Sequence, residues 1–147
     1  MKELKIPTDS LMQKLLKTSS IDRFIRRYNE KTTGVTEFHE YITSLLQEKN
    51  TDHLTIIKNA DIERNYGLQL FKGIRKPSRD KVLQLALAFG LDLEETQKLL
   101  TIARKSALYP KIERDAVVIF ALRKKYCVLD IQSTLHELGI PLLGEER

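Results

Sequence analysis

At 147 residues, with 41% hydrophobic and 31% charged residues, the chain has room for one domain with a real core, or for a small domain carrying helical extensions. No apolar run approaches the roughly 18 residues of a membrane span, so no membrane partner is expected. A net charge of +5 permits a polyanionic partner without demanding one, and it is spread along the chain except between Lys72 and Lys81, where five cations stand against Asp80 alone.

The start, M-K-E-L-K-I-P-T-D-S, lacks the apolar core and cleavage site of a signal peptide, and Cys127 is the single cysteine. A reducing, cytoplasmic setting is the expectation. Apolar residues recur near the helical period throughout, so the expected fold is all-α with about nine helices. Ser10 is placed to cap a helix carrying Leu11, Met12, Leu15 and Leu16, and Ser19 or Ser20 to cap a second with Ile21, Phe24, Ile25 and Tyr28. Thr32, Thr33 and Gly34 interrupt the pattern. Thr36 then opens a helix to about Lys49 with Phe38, Tyr41, Ile42, Leu45 and Leu46 inward. Asn50, Thr51 and Asp52 end it and cap the next, whose inner face is Leu54, Ile56, Ile57 and Ala60.

A short polar helix follows over about 63–71, with Ile62, Leu70 and Phe71 able to face inward and Gly73 as its stop. Ser78 after Pro77 signals the N-cap of a helix bearing Val82, Leu83, Leu85, Ala86 and Phe89, and Gly90 ends it. Asp92 and Glu95 form a capping-box pattern before Leu93, Thr96, Leu99, Leu100 and Ile102.

From Tyr109 and Pro110 the pattern becomes a helical hairpin. Ile112, Ala116, Val117, Ile119, Phe120 and Leu122 make the first helix apolar nearly all round, which predicts deep burial; Arg123, Lys124 and Lys125 suit its C-terminal end. V-V-I-F as a strand is discounted because the flanking residues keep a helical period. Val128, Ile131, Leu135 and Leu138 mark the last helix, stopped by Gly139 in a Schellman-like arrangement with Ile140 behind it. The division expected is an N-terminal extension over 1–34, a central domain over 35–106 and a C-terminal hairpin over 107–147, packed on the same core or at a dimer interface; no internal repeat is apparent.

The stretch with most chemistry is I-E-R-N-Y-G-L-Q-L-F-K-G-I-R-K-P, residues 62–77. It joins a polar helix to a glycine turn and a basic loop, a combination suited to base edges and phosphates. Arg79 and Lys81 also sit in the first turn of a helix, where cations are disfavoured by roughly 0.3 to 1 kcal/mol each unless an anion docks. The same charges also read as an ordinary solvated loop, and Tyr66, Phe71 and Phe89 read more naturally as core.

Residues 51–100 resemble the helix-turn-helix domain of the XRE family, the lambda repressor-like and Cro-like DNA-binding proteins. The resemblance rests on L-T-I-I-K-N-A-D-I, then E-R-N-Y-G-L-Q-L-F-K-G-I-R-K-P-S, then L-Q-L-A-L-A-F-G-L-D-L-E-E, with G-x-R-K-P-S as its most specific part. It implies a lambda repressor-like bundle with flanking helices, a scaffold helix at Leu54 to Ala60 and a recognition helix at about 63–71 in the major groove of double-stranded DNA. It places base contacts on Arg64, Asn65 and Gln69, and backbone contacts on His53, Tyr66, Lys72, Arg75, Lys76, Arg79 and Lys81. Three positions depart from the family: Phe71 stands where Glu is common, Gly67 where an apolar core residue is usual, and Ile57 in place of the scaffold helix's Ala. Gly67 implies the close approach of a bulky neighbour, with Phe71 or Tyr66 as candidates.

The function implied is a sequence-specific transcriptional regulator working as a homodimer, the dimer contact falling on the hairpin from Ile112 to Leu138 with Leu142 and Leu143. The alternative is an interaction module of the same fold that binds a protein partner through its groove-facing surface or its flanks; an RNA-associated factor is supported only by dispersed charge. No enzyme motif, cofactor or metal site is expected: His39, His53 and His136 lie far apart, and Cys127 reads as a buried structural thiol.

Overall fold

The computed structural model describes residues 37–144, together with Met12, Gln13, Leu16 and Ile21. Those four residues are helical and exposed and belong to a separate unit, Met1–Thr36. The rest of the two N-terminal helices expected from sequence lies outside the described residues. Met12, Leu16 and Ile21 are exposed.

Among the described residues the second unit is all-helical, with seven helices and no strand. They are α1 Phe38–Glu48, α2 His53–Asn59, α3 Arg64–Lys72, α4 Arg79–Phe89, α5 Leu93–Ile102, α6 Glu113–Arg123 and α7 Val128–Glu137. Local signals account for most of their ends. Ser78 accepts from the Lys81 N–H, and Asp92 and Glu95 exchange both hydrogen bonds of a capping box. Gly139 takes a left-handed conformation while Ile140 N–H donates to the Leu135 carbonyl at 2.9 Å, the Schellman closure of α7. The start of α1 is different from expectation: Glu37 is its N-cap, in extended backbone and with no side-chain hydrogen bond.

Helix α4 is the centre of the core, with Val82 through Leu87 and Phe89 all buried, and it packs on α2, α5 and α7. α3 leans on α1 and α2 at the periphery. The C-terminal pair α6 and α7 shares this core through Val118, Ala121, Leu122, Val128, Ile131 and Leu135. Leu143, expected at a dimer contact, is buried in the same core. All-round burial of α6 is not observed: Ile112 and Phe120 are exposed, and only one stripe of the helix meets α5 and α7. Phe120 instead sits edge-on to Tyr126, with ring centroids 5.8 Å apart. Leu54 and Leu138 are exposed too, each projecting from the outer side of its helix. Cys127 is exposed rather than buried; its backbone N–H and its thiol, at 3.2 Å, both donate to Asp130 and form the N-cap of α7.

Contrary to the sequence reading, residues 75–109 recur in 110–144 as a structural repeat. Gly90 and Lys125, 35 residues apart, both end the first helix of their pair in a left-handed conformation. Gln97 holds both backbone groups of Leu108 through its amide, and Gln132 holds those of Leu143 in the same way. Each half carries Arg-Asp in the first turn of its first helix, and the charges are exchanged. Arg79 pairs with Asp115 through two bonds of 2.9 Å, and Arg114 pairs with Asp80 through two of 2.8 Å. Arg79 also donates to the carbonyls of Ser106 and Ala107, and Arg114 to those of Pro141 and Leu142. Tyr109 N–H donates to Asp115, and Gly144 N–H to Asp80. The contacts are reciprocal, the pattern of a local two-fold.

Burial alone would raise the pKa of Asp80 and Asp115, but the hydrogen bonds and charges of the two arginines, with the Gly144 and Tyr109 N–H groups, outweigh it and hold both carboxyls below their ordinary range. The native state therefore keeps them ionised at a pH where the unfolded chain is already protonated. Their stabilisation is complete above about pH 5 and declines as pH falls past the unfolded value of about 4 towards the lower folded one. Urea titrations at pH 7, 4 and 3 are expected to show a falling midpoint. In an Asp80→Asn, Asp115→Asn double variant the pH 7 midpoint should be lower and this acid-linked fall smaller, the remainder coming from the helix-capping carboxylates Asp52, Glu63 and Asp130, whose pKa values are also lowered; an undiminished fall would locate the acid sensitivity elsewhere.

Candidate nucleic-acid interface

The outward face of α3 and the turn after it carry the residues that matter chemically. Glu63 caps α3 by accepting from the N–H groups of Asn65 (3.0 Å) and Tyr66 (2.8 Å), and these two bonds lower its pKa. Asp52 caps α2 in the same manner by accepting from Thr55. Both helix N-termini are thus filled by the chain's own carboxylates, so an anion must be met by side chains here.

Arg64 and Asn65 are exposed in the first turn of α3, while Gly67 and Leu70 turn inward. Gly67 is explained by contact. A Cβ there would stand 2.6 Å from Ile57 Cγ2 and 2.7 Å from Ile57 Cγ1, so the bulky neighbour is Ile57 of α2 and not Tyr66 or Phe71. α2 and α3 approach closely because one supplies a branched side chain where the other supplies none. Phe71 is half-buried against the core, its ring 6.1 Å from that of His53.

At the far end Gly73 adopts φ +77°, and a Cβ on it would lie 2.6 Å from His39 Nδ1 of α1; only glycine suits both conditions. The turn that follows is held back on α3: Ile74 and Arg75 N–H both donate to the Gln69 carbonyl, at 3.0 and 3.3 Å. Arg75 lies over the Tyr66 ring at 4.8 Å from its centroid, and Lys81 Nζ lies 5.7 Å from the same centroid. Arg75 Nε also donates to Gln69 Oε1 at 2.9 Å. Tyr66, Gln69, Arg75 and Lys81 therefore form one cluster, with Lys72 and Lys76 exposed beside it. No protein-family model, curated protein or solved structure matches the chain.

Of the ten residues singled out from sequence, Arg79 is placed elsewhere. Its guanidinium is engaged by Asp115 and two carbonyls, and its side chain is 26% exposed. The anion that a cation in the first turn of α4 calls for is supplied internally. His53 stands at the start of α2 against Phe71, away from the Tyr66 cluster's contacts. Sequence reasoning missed Glu63 as a cap and Asp115 as the partner of Arg79. A signal for the second was present, since R-D occurs at 79–80 and again at 114–115.

Proposed function

We propose that the chain is a sequence-specific DNA-binding regulator of helix-turn-helix type, in which α2 supports α3 and α3 enters the major groove. The observation that carries this reading is the continuity of two surfaces: Arg64, Asn65 and Gln69 on the outer face of α3 run directly into the exposed cations Lys72, Arg75 and Lys76, on a turn fixed by Gly73. Base-reading side chains on a rigid helix beside phosphate-holding cations are what major-groove recognition requires. The XRE-like motif supports the same reading. Phosphate contacts fall to Lys72, Arg75, Lys76 and Lys81; Arg79 has a structural role instead.

Two copies bind a two-fold site, joined through the exposed Ile112, the N-cap of α6, and Phe120 within that helix. Selection of duplexes from fragmented genomic DNA tests both parts. Enrichment of a short inverted repeat is the expected result, and an unselective, salt-weakened product would sink the proposal. A second reading has one observation in its favour. Exposed Leu54 lies with Ile57, Ile62 and Arg64 along a shallow groove of about 410 Å³, a surface that an interaction module would use. Retrieval of a protein partner that is lost on Leu54→Asp, from a chain that selects no duplex, would favour it.

A further inference from the structure

The XRE resemblance puts Gln69 against a base, and a glutamine amide by itself suits adenine, offering one acceptor to N6 and one donor to N7. The structure alters that assignment. Arg75 Nε can only donate, so the Gln69 atom facing it at 2.9 Å must be the carbonyl oxygen, whichever way an amide is first drawn. One of the two lone pairs of Gln69 Oε1 is thus already engaged within the chain. What the pair offers outward is mostly donors, the amide NH2 of Gln69 and the terminal nitrogens of Arg75, with a positive charge beside the one lone pair left. The position of Arg75 is fixed independently by the Tyr66 ring beneath it and by its own N–H on the Gln69 backbone carbonyl. The pair is therefore preorganised.

A donor-rich, positively charged pair suits a base edge that presents two acceptors. In the major groove guanine shows O6 and N7, both acceptors, whereas thymine shows O4 alone and adenine and cytosine each turn an amino donor, N6 or N4, towards the donors of the pair. We propose that Gln69 and Arg75 act as one unit that reads guanine, and that Arg75 determines specificity and does not merely hold a phosphate. This rests on the DNA-binding reading above and sharpens it.

The test is a duplex selection with the full chain, run in parallel for wild type, Arg75→Ala and Gln69→Ala. Wild type is expected to select guanine at one position of each half-site. Arg75→Ala removes the internal donor and releases the Gln69 oxygen, so preference at that position should move from guanine towards adenine by about tenfold, with other positions unchanged. Gln69→Ala should weaken the guanine preference without creating an adenine one. Neither Arg75 nor Gln69 belongs to the buried core, and equal thermal midpoints for the three proteins would verify that the fold is unchanged. A uniform loss of affinity with no change in base preference, or adenine selected by wild type, overturns the guanine assignment while leaving DNA recognition intact. Wild type selecting no sequence overturns both.

Discussion

Asp115→Ala is expected to lower the stability of the folded unit by about 3 to 5 kcal/mol at pH 7, as removing one partner of a buried ion pair does. Asp115 is 2% exposed and accepts three hydrogen bonds, two from Arg79 and one from Tyr109 N–H. Without it the Arg79 guanidinium keeps the carbonyls of Ser106 and Ala107 and the attraction of Asp80 but loses the carboxylate it is bonded to, and Tyr109 N–H loses its acceptor. The equivalent cut at Asp80 should cost less, because that carboxylate is more exposed, with side-chain values of 24% for Arg114 and 19% for Asp80. With a urea m-value of about 1 to 2 kcal/mol/M for a domain of this size, the Asp115→Ala midpoint should fall by roughly 1.5 to 5 M. A fall worth less than about 1 kcal/mol would mean that the pair contributes no more than an exposed one. Arg79 is for the same reason a poor probe of phosphate binding: replacing it would perturb the fold before it perturbed any DNA contact.

The second large effect concerns the contact between α2 and α3. Gly67→Ala adds a Cβ within 3 Å of three Ile57 carbons, and such overpacking costs about 1 to 3 kcal/mol. Helix propensity alone would return up to about 1 kcal/mol, so the net sign is destabilising. Ile57→Ala, at a site 2% exposed, opens a cavity and should cost about 2 to 5 kcal/mol. Combined, the changes relieve each other, because the new Cβ occupies space that Ile57 has vacated. A coupling of about 2 kcal/mol between them is expected from a double-mutant cycle of urea midpoints. Additivity within about 0.5 kcal/mol would show that the two positions do not compete for one space. Set beside the XRE-like pattern, Ile57 and Gly67 are then a single exchange of volume between two helices and not two separate departures.

The features legible in the sequence were those decided within a few residues. Ser78, Asp92 with Glu95, and Gly139 with Ile140 announced their helix ends because each cap is completed within three to five residues of chain. The buried face of α6 was not legible. Its apolar residues surround the helix, so periodicity gave no direction, and contact with α5 and α7 decided that Val118 turns inward while Phe120 does not. The Arg-Asp exchange joins groups 34 and 36 residues apart, beyond the reach of any local pattern. The repeat around it was hidden for the same reason: its two halves share the charged pair, the clamping glutamine and the clamped leucine, but few of the residues between them. At the candidate site, residue types named the side chains of the proposed DNA contact. Only geometry showed that Arg79 is engaged internally and that Gln69 and Arg75 are joined.

DNA recognition through α3 and its basic turn is tested most directly by measuring affinity for a selected duplex at roughly 50 and 200 mM salt, for wild type and for Arg75→Glu, Lys76→Glu. A wild-type dimer that neutralises about six phosphates should lose about a thousandfold in affinity across that range, and the charge-reversed protein, folded to the same midpoint, should bind weakly at both with a shallower salt dependence. Equal affinities and equal slopes for the two proteins would contradict a DNA-binding role for this surface.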